Sequence, residues 1–253
     1  MQSAIMELAG VYKSLGAQPV LRDLNLSVPR GETLVIMGRS GAGKSVILKH
    51  MVGLLAPDRG AVLFDGRRLD RMSRPELQQA RKRMGMLFQG AALFDSMTVA
   101  ENVSLGLRKH MKLGEKEIAA IVEAKLAAVG LAGSQNKMPA ELSGGMRKRV
   151  GLARAIAMDP ELILYDEPTT GLDPITADAI NNLIIETRDK FGVTSVVVTH
   201  DVNTALKVGS TVSLLNEGKI IFSGAPAELK STDNPYVRQF LEGRAEGPIK
   251  VNF

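Results

Sequence analysis

At 253 residues, 45% of them hydrophobic, the chain can bury a large core and reads as one compact domain with sub-domains rather than two independent units. It contains no cysteine, which excludes disulfides, thiol catalysis and cysteine metal sites and fits a reducing cytosol. No apolar run is long enough to span a bilayer and no signal peptide is discernible, so the chain is expected to be soluble by itself; its net charge of +5 reads as a solvated surface or as help toward an anionic membrane face.

Residues 5–28 alternate and turn like antiparallel strands and carry Tyr12. The run Thr33-Leu34-Val35-Ile36-Met37, apolar and rich in β-branched residues, reads as a buried strand and leads into Gly38-Arg39-Ser40-Gly41-Ala42-Gly43-Lys44-Ser45 and then Val46. Strand, glycine-rich loop and helix together form a phosphate cradle. The glycines let the backbone curl so that successive N–H groups face phosphate oxygens, and the following helix adds the positive end of its dipole. Lys44 is expected to reach the β- and γ-phosphates, and Ser45 to offer its hydroxyl to Mg²⁺.

Residues 61–64 followed by Asp65-Gly66 read as a hairpin arm, and the apolar stretch 85–88 delivers Gln89. From about 91 to 158 the period is helical, as in Ile118, Ile121, Val122, Leu126 and Val129. Within it, Leu142-Ser143-Gly144-Gly145-Met146 has the make-up of an anion-binding helix N-terminus, a serine to cap and two glycines for close approach. Arg147, Lys148 and Arg149 put three charges on one turn, which is expected to be solvated rather than to contact nucleic acid.

Four apolar residues, 162–165, form a second buried strand ending in Asp166 and Glu167. Neighbouring side chains on a strand point opposite ways, so the two carboxylates divide the work: Asp166 holds Mg²⁺ through its water shell, and Glu167 polarises the attacking water. Pro168-Thr169-Thr170-Gly171-Leu172-Asp173 follows as a structured loop. A strand-like run at 195–199 ends at His200 and Asp201, on the same sheet edge as Glu167, whereas His50 and His110 read as structural. Residues 211–222 form a second hairpin around Asn216-Glu217-Gly218, and beyond Pro226 a short helix and a polar tail are expected.

The cradle and the carboxylate strand alone leave kinases, GTPases, RecA-like motors and transport ATPases open. The pentapeptide 142–146, placed shortly before Asp166, is the signature of one superfamily, and with it the chain resembles an ATP-binding cassette ATPase over nearly its whole length. That resemblance implies an α/β P-loop NTPase with a RecA-like core, an antiparallel β sub-domain and a helical sub-domain at about 91–158, the cassette filling 1–230 and 231–253 forming a C-terminal extension. It implies ATP and Mg²⁺ as ligands, and ATP hydrolysis as the activity. Tyr12 stands where the family stacks a ring on adenine, packing of an edge strand being the other reading. Gln89 matches the loop that touches Mg²⁺, and His200 the histidine that contacts the γ-phosphate and the catalytic glutamate. Leu142, Ser143, Gly144, Gly145 and Met146, with Asp173, match residues that meet the nucleotide held by the other copy, so two chains would pair head to tail around two ATP. Val46 stands where many relatives carry Thr, a hydroxyl that is not the metal ligand. A base reader for guanine is missing, since Asn136-Lys137-Met138-Pro139 lacks the aspartate.

The stretches 38–50, 88–99 and 143–150 are similar to the branch of cassette ATPases that serves bacterial maintenance of outer-membrane lipid asymmetry, including Asp95 where many importers have Pro and Met146 where they have Gln. The branch implies phospholipid transport between inner and outer membranes, a peripheral location on the cytoplasmic face of the inner membrane, permease subunits, a substrate-binding protein of the mammalian-cell-entry type, and a small STAS-fold accessory subunit. Stretch 234–243 also resembles the branch, whose tails clasp neighbouring subunits; a disordered end is the other reading. Another cargo remains an alternative. A non-transport role on ribosomes or DNA is the third, and it usually brings two cassettes or a long coiled-coil insertion, neither of which is here.

Overall fold

β1 (Ala4–Leu15) and β2 (Gln18–Pro29) alternate buried and exposed side chains and pair as an antiparallel hairpin. After β3 (Thr33–Met37) and α1 (Lys44–Met51), the chain returns through β4 (Arg59–Phe64) and β5 (Arg67–Arg68) to complete a four-stranded sheet of order β2-β1-β4-β5. The turn between β4 and β5 is Asp65-Gly66, with φ of 52° and 72°, the doubly positive conformation that suits a two-residue hairpin loop. The computed structural model describes residues 3–250; the first two residues of the expected cassette domain and residues 251–253 of the expected extension lie outside it.

The second sheet contains β3 together with β6 (Met84–Leu87), β7 (Leu162–Asp166), β8 (Thr194–Thr199), β9 (Thr211–Asn216) and β10 (Lys219–Gly224), in the order β10-β9-β3-β8-β7-β6. Only the β9–β10 hairpin is antiparallel. Because side chains alternate along a strand and both faces are covered, successive residues feed two different cores. Leu34, Ile36, Leu162, Leu164, Val196 and Val198 pack with α1 and the four-stranded sheet. Val35, Met37, Ile163, Tyr165 and Val197 pack on the opposite side, with the helices. That two-sided burial is why these strands read as unbroken apolar runs.

α2 (Arg74–Lys82) leads into β6, and the helical part follows as α3 (Val99–His110), α4 (Glu115–Ala128) and α5 (Gly144–Ala155). Helix was expected from about residue 91, but Ala91 and Ala92 have φ of 61° and 46° and the segment up to Thr98 is a loop. Buried Asn102 organises that loop: its side-chain oxygen accepts from the Phe94 N–H at 2.8 Å, and its amide group donates to the carbonyls of Phe94, Met97 and Thr98. Thr98 and Glu101 then close a capping box at the start of α3.

α6 (Pro174–Phe191) begins with Pro174 in its first turn, and α7 (Val202–Val208) packs beside it. The C-terminal part holds two helices where one was expected, α8 (Pro226–Ser231) and α9 (Pro235–Glu242). The segment after α9 folds back, with the Gln239 side chain accepting from the Ile249 N–H at 2.7 Å and donating to the Ile249 carbonyl at 3.0 Å. Ile249 is buried by this return, so the expected polar tail is packed against its own chain as far as residue 250. Among the described residues no helix is long and apolar enough to cross a membrane.

Candidate active site

The loops leaving the C-terminal ends of β3, β6, β7 and β8 converge on one cavity of about 790 Å³, the place where open parallel sheets bind ligands. Arg39, Ser40, Gly41 and residues 43–46 line it, together with Gln89, Glu167 and His200; Gly38 and Ala42 complete the loop behind them. Gly43 caps α1 with φ 107°, a conformation L side chains rarely adopt, so only glycine lets the chain turn there and present the helix N-terminus to the cavity.

Lys44 is buried, and its ammonium group donates to the carbonyls of Gly38 (2.7 Å) and Arg39 (3.1 Å) while lying 3.2 Å from Glu167 Oε1. Glu167, 8% exposed, is held on its other oxygen: Oε2 accepts from His200 Nδ1 at 2.8 Å and from the Thr170 hydroxyl at 3.2 Å. Its backbone has φ 47°, left-handed for a residue with a side chain, a conformation that costs ~1–3 kcal/mol and persists only when the surroundings fix it. The Glu167 N–H supplies part of that fixing by donating to the Val198 carbonyl at 2.9 Å.

Asp166 points the other way and accepts from the Ser45 hydroxyl at 3.4 Å. Burial pushes its carboxyl up, and the neighbouring Glu167 charge adds to the shift, against the Ser45 hydrogen bond and the Lys44 and Lys148 charges. A carboxyl whose pKa is raised by folding contributes stability that is present at low pH and lost as pH rises through the titration; at neutral pH its charge is a net cost. Asp166→Asn is therefore expected to raise the Tm of the ligand-free chain at pH 7, by about 2–4 °C for each kcal/mol relieved, while removing the anion. Thermal unfolding of both chains at pH 7 and pH 5 checks this, and the difference should shrink at the lower pH.

Ser143 caps α5, its hydroxyl accepting from the Met146 N–H at 3.3 Å. Ser143 and Gly144 are exposed, Leu142 and Gly145 are buried, and none of residues 142–146 lines the Lys44 cavity. A Cβ on Gly145 would come within 2.6 Å of the Thr176 methyl, so the packing of α5 on α6 itself requires a glycine here. Asp173 caps α6, accepting from the N–H groups of Ile175 and Thr176 at 3.0 Å each, and is exposed.

Two expectations meet a different arrangement in the structure. Tyr12 does not line the cavity: it pairs with Arg59 across β1 and β4, and the cavity wall is Leu15, Gln18 and Val20, at and after the β1–β2 turn where the sheet reaches the glycine-rich loop. The charges at 147–149 are not all solvated. Arg147 is exposed, but Lys148 is 5% exposed and donates to the carbonyls of Gln89 and of Glu167, the latter at 3.1 Å. Its signal was in the helical period, since Gly145, Lys148 and Leu152 fall on one buried face. Thr170 and Phe240, the latter on the cavity wall from α9, were also missed, and no local pattern marks either. Of the two histidines read as structural, His50 is fully buried with Nδ1 2.8 Å from the Val46 carbonyl, and His110 lies exposed at the end of α3.

A family model described as ABC transporter matches residues 21–170. The protein named "Probable ribonucleotide transport ATP-binding protein mkl" of Mycobacterium tuberculosis is 44% identical over 247 residues, which is 98% of this chain and 69% of that protein. The "Intermembrane phospholipid transport system ATP-binding protein MlaF" of Escherichia coli is 44% identical over 249 residues, 98% of this chain and 93% of that one. Among solved structures, cbiO1 from Clostridium perfringens, part of the ABC transporter complex cbiONQ, superposes with a TM-score of 0.84 at 32% identity, over 91% of this chain and 92% of that one. The dimeric ATP-binding cassette MJ0796, in a post-hydrolysis state bound to ADP and Pi, does so with a TM-score of 0.80 at 33% identity, over 87% and 98%.

Proposed function

This chain belongs to the ABC transporter family, and on that premise we propose that it is the ATP-hydrolysing subunit of a transporter that moves phospholipid between the inner and outer membranes of a diderm bacterium. The observation that carries the chemistry is the Glu167 carboxylate, suspended between Lys44 on one oxygen and His200 and Thr170 on the other. When ATP enters, Lys44 exchanges Glu167 for phosphate oxygens, to which its charge is better matched. That leaves Glu167 Oε1 without its cation, aimed into the cavity and able to accept the proton of the attacking water, while His200 keeps the carboxylate in place.

The residues present fit a Mg²⁺ ion carried mainly by the nucleotide. The Ser45 hydroxyl and the Asp166 carboxylate lie 3.4 Å apart beside Lys44, and a hydroxyl with a carboxylate is the oxygen donor set a hard cation takes. Ser45, Asp166 and Gln89 would hold it, phosphate oxygens and water completing the shell. When bound, the ion neutralises charge on the phosphates.

Residues 142–146 and Asp173 lie outside the Lys44 cavity of their own chain, which supports their serving the nucleotide of a second copy. Two copies pairing head to tail close a symmetric dimer around two ATP. Binding then joins the halves and hydrolysis releases them, a cycle that Gln89 and the helical sub-domain pass to permease subunits. We assign residues 1–230 to the cassette, with about 91–158 as its helical sub-domain, and 231–253 to a partner-binding extension.

The adenine is placed against Leu15 and Val20 rather than Tyr12. Leu15→Asp is expected to weaken ATP binding roughly tenfold, the cost of losing one buried apolar contact and facing a base with a charge, and Tyr12→Ala to leave it within about twofold. Titration with a fluorescent ATP analogue decides, and the opposite ranking would restore Tyr12 to the base.

The lipid cargo is supported by the near end-to-end match with MlaF proteins, which extends to 96% of the Haemophilus influenzae protein at 42% identity. The equally similar mkl protein carries another named cargo and favours a second reading, ribonucleotide transport. Mild purification of this chain from its native membranes, with mass spectrometry of proteins and lipids, separates them. Recovery of permeases, an MCE-type protein, a small STAS-fold subunit and phospholipid is the expected result and would place the chain on the inner face of the inner membrane. A permease with a soluble-solute receptor would overturn the lipid reading.

A further inference from the structure

Lys148 is a buried cation, 5% exposed, with no salt-bridge partner among the described residues. Lysine is among the residues least often buried without a counter-charge, and no carboxylate lies within ion-pair distance of it among the described residues. Its ammonium group instead spans two main-chain carbonyls far apart in sequence, those of Gln89, just past β6, and Glu167, just past β7. Each of these loops, from adjacent strands, delivers one polar side chain to the active site, Gln89 and Glu167. We propose that Lys148 is a positioning residue that fastens these two loops to α5, so that ATP turnover, rather than ATP binding, depends on how that helix is seated.

Three further observations support this, and all rest on Glu167 having the role given above. The Glu167 peptide is held in its left-handed conformation from both sides, by its own N–H on Val198 and by Lys148 on its carbonyl, and that conformation sets where the carboxylate points. The helix that supplies Lys148 begins with Ser143, so a displacement of the segment proposed to meet the partner's nucleotide reaches the Glu167 backbone through one side chain. α5 is also tightly seated: a Cβ on Gly151 would come within 2.7 Å of Leu87 at the end of β6, and one on Gly145 within 2.6 Å of Thr176.

The test is Lys148→Met, which keeps the length and removes the donors, beside Lys148→Arg, which keeps charge and donors, each in the full chain purified with its transporter. For Met, kcat is expected to fall about tenfold or more, with ATP affinity within about twofold and little change in KM; Arg should restore most of the loss. Near-parental kcat in the Met chain, or ATP affinity lost in step with kcat, or no rescue by Arg, would overturn the proposal. Should the Met chain not fold, Lys148→Gln, whose amide sits one bond nearer the backbone and is too short to span both carbonyls, is expected to show the same split between kcat and affinity, and its absence is equally fatal. Glu167→Gln in parallel keeps the two readings apart. If it still turns over ATP, the site assignment is wrong; if it stops while Lys148→Met runs normally, only the role of Lys148 fails.

Discussion

Glu167→Gln is expected to bind ATP, to hold two copies together in its presence, and to lower turnover roughly 10²–10⁴-fold, the range over which a positioned general base acts. Glutamine keeps the shape of the site, since its oxygen still accepts from His200 and Thr170 and Lys44 retains its two loop carbonyls. What it loses is the ability to take a proton, and the negative charge 3.2 Å from the lysine that must receive phosphate. With that competing carboxylate gone, Lys44 is free for the nucleotide and the repulsion between Glu167 and the γ-phosphate disappears, so ATP affinity should be unchanged or tighter. Breaking a buried ion pair is strongly destabilising when one charge is left alone, but Lys44 is not left alone, and Tm should move little. Phosphate release and light scattering with and without ATP read the two effects. Turnover within a few-fold of the parent would remove Glu167 from its role.

The parts of this molecule that could be read from the sequence are those fixed by local geometry. A strand buried on both faces must be apolar at every position, so β3, β7 and β8 announced themselves, and the loops they feed carry residues whose spacing is dictated by phosphate. Asp166 and Glu167 were separable because a strand sends neighbouring side chains apart, and the structure sends one to Ser45 and the other to Lys44. What could not be read depended on which surfaces meet. Tyr12 and Leu15 are three residues apart on one strand, and only the docking of the β1–β2 turn on the glycine-rich loop decides which of them faces the cavity. Lys148 looks like its charged neighbours until α5 is laid against the ends of β6 and β7. Gly145 suits an anion-binding helix start, yet its missing side chain is required by Thr176 on another helix. The C-terminal segment is polar enough to look free, and it is Gln239 and one buried isoleucine, 10 residues apart in the chain, that return it to the body.

Ser143→Arg should abolish turnover, by two orders of magnitude or more, while leaving ATP binding at Lys44 within about twofold, because the two elements share no cavity within one chain. Ser143 is exposed at the start of α5, and among the described residues its side chain makes only the cap on Met146 N–H. Losing that cap costs about 1 kcal/mol, too little to unfold a domain of this size and too local to disturb the glycine-rich loop. The arginine would instead fill the space where the other copy's phosphate is proposed to sit and crowd the two halves apart. The same geometry makes a sharper demand when two defective chains are mixed. Lys44→Ala spoils the cradle and Ser143→Arg spoils the opposing helix, so each homodimer has two dead sites. A mixed pair has one site in which an intact cradle faces an intact helix and one in which both are damaged. Mixing should therefore restore turnover well above that of either variant alone. If Ser143 acted on the nucleotide of its own chain, no combination of these two chains would contain a whole site, and the mixture would stay inactive.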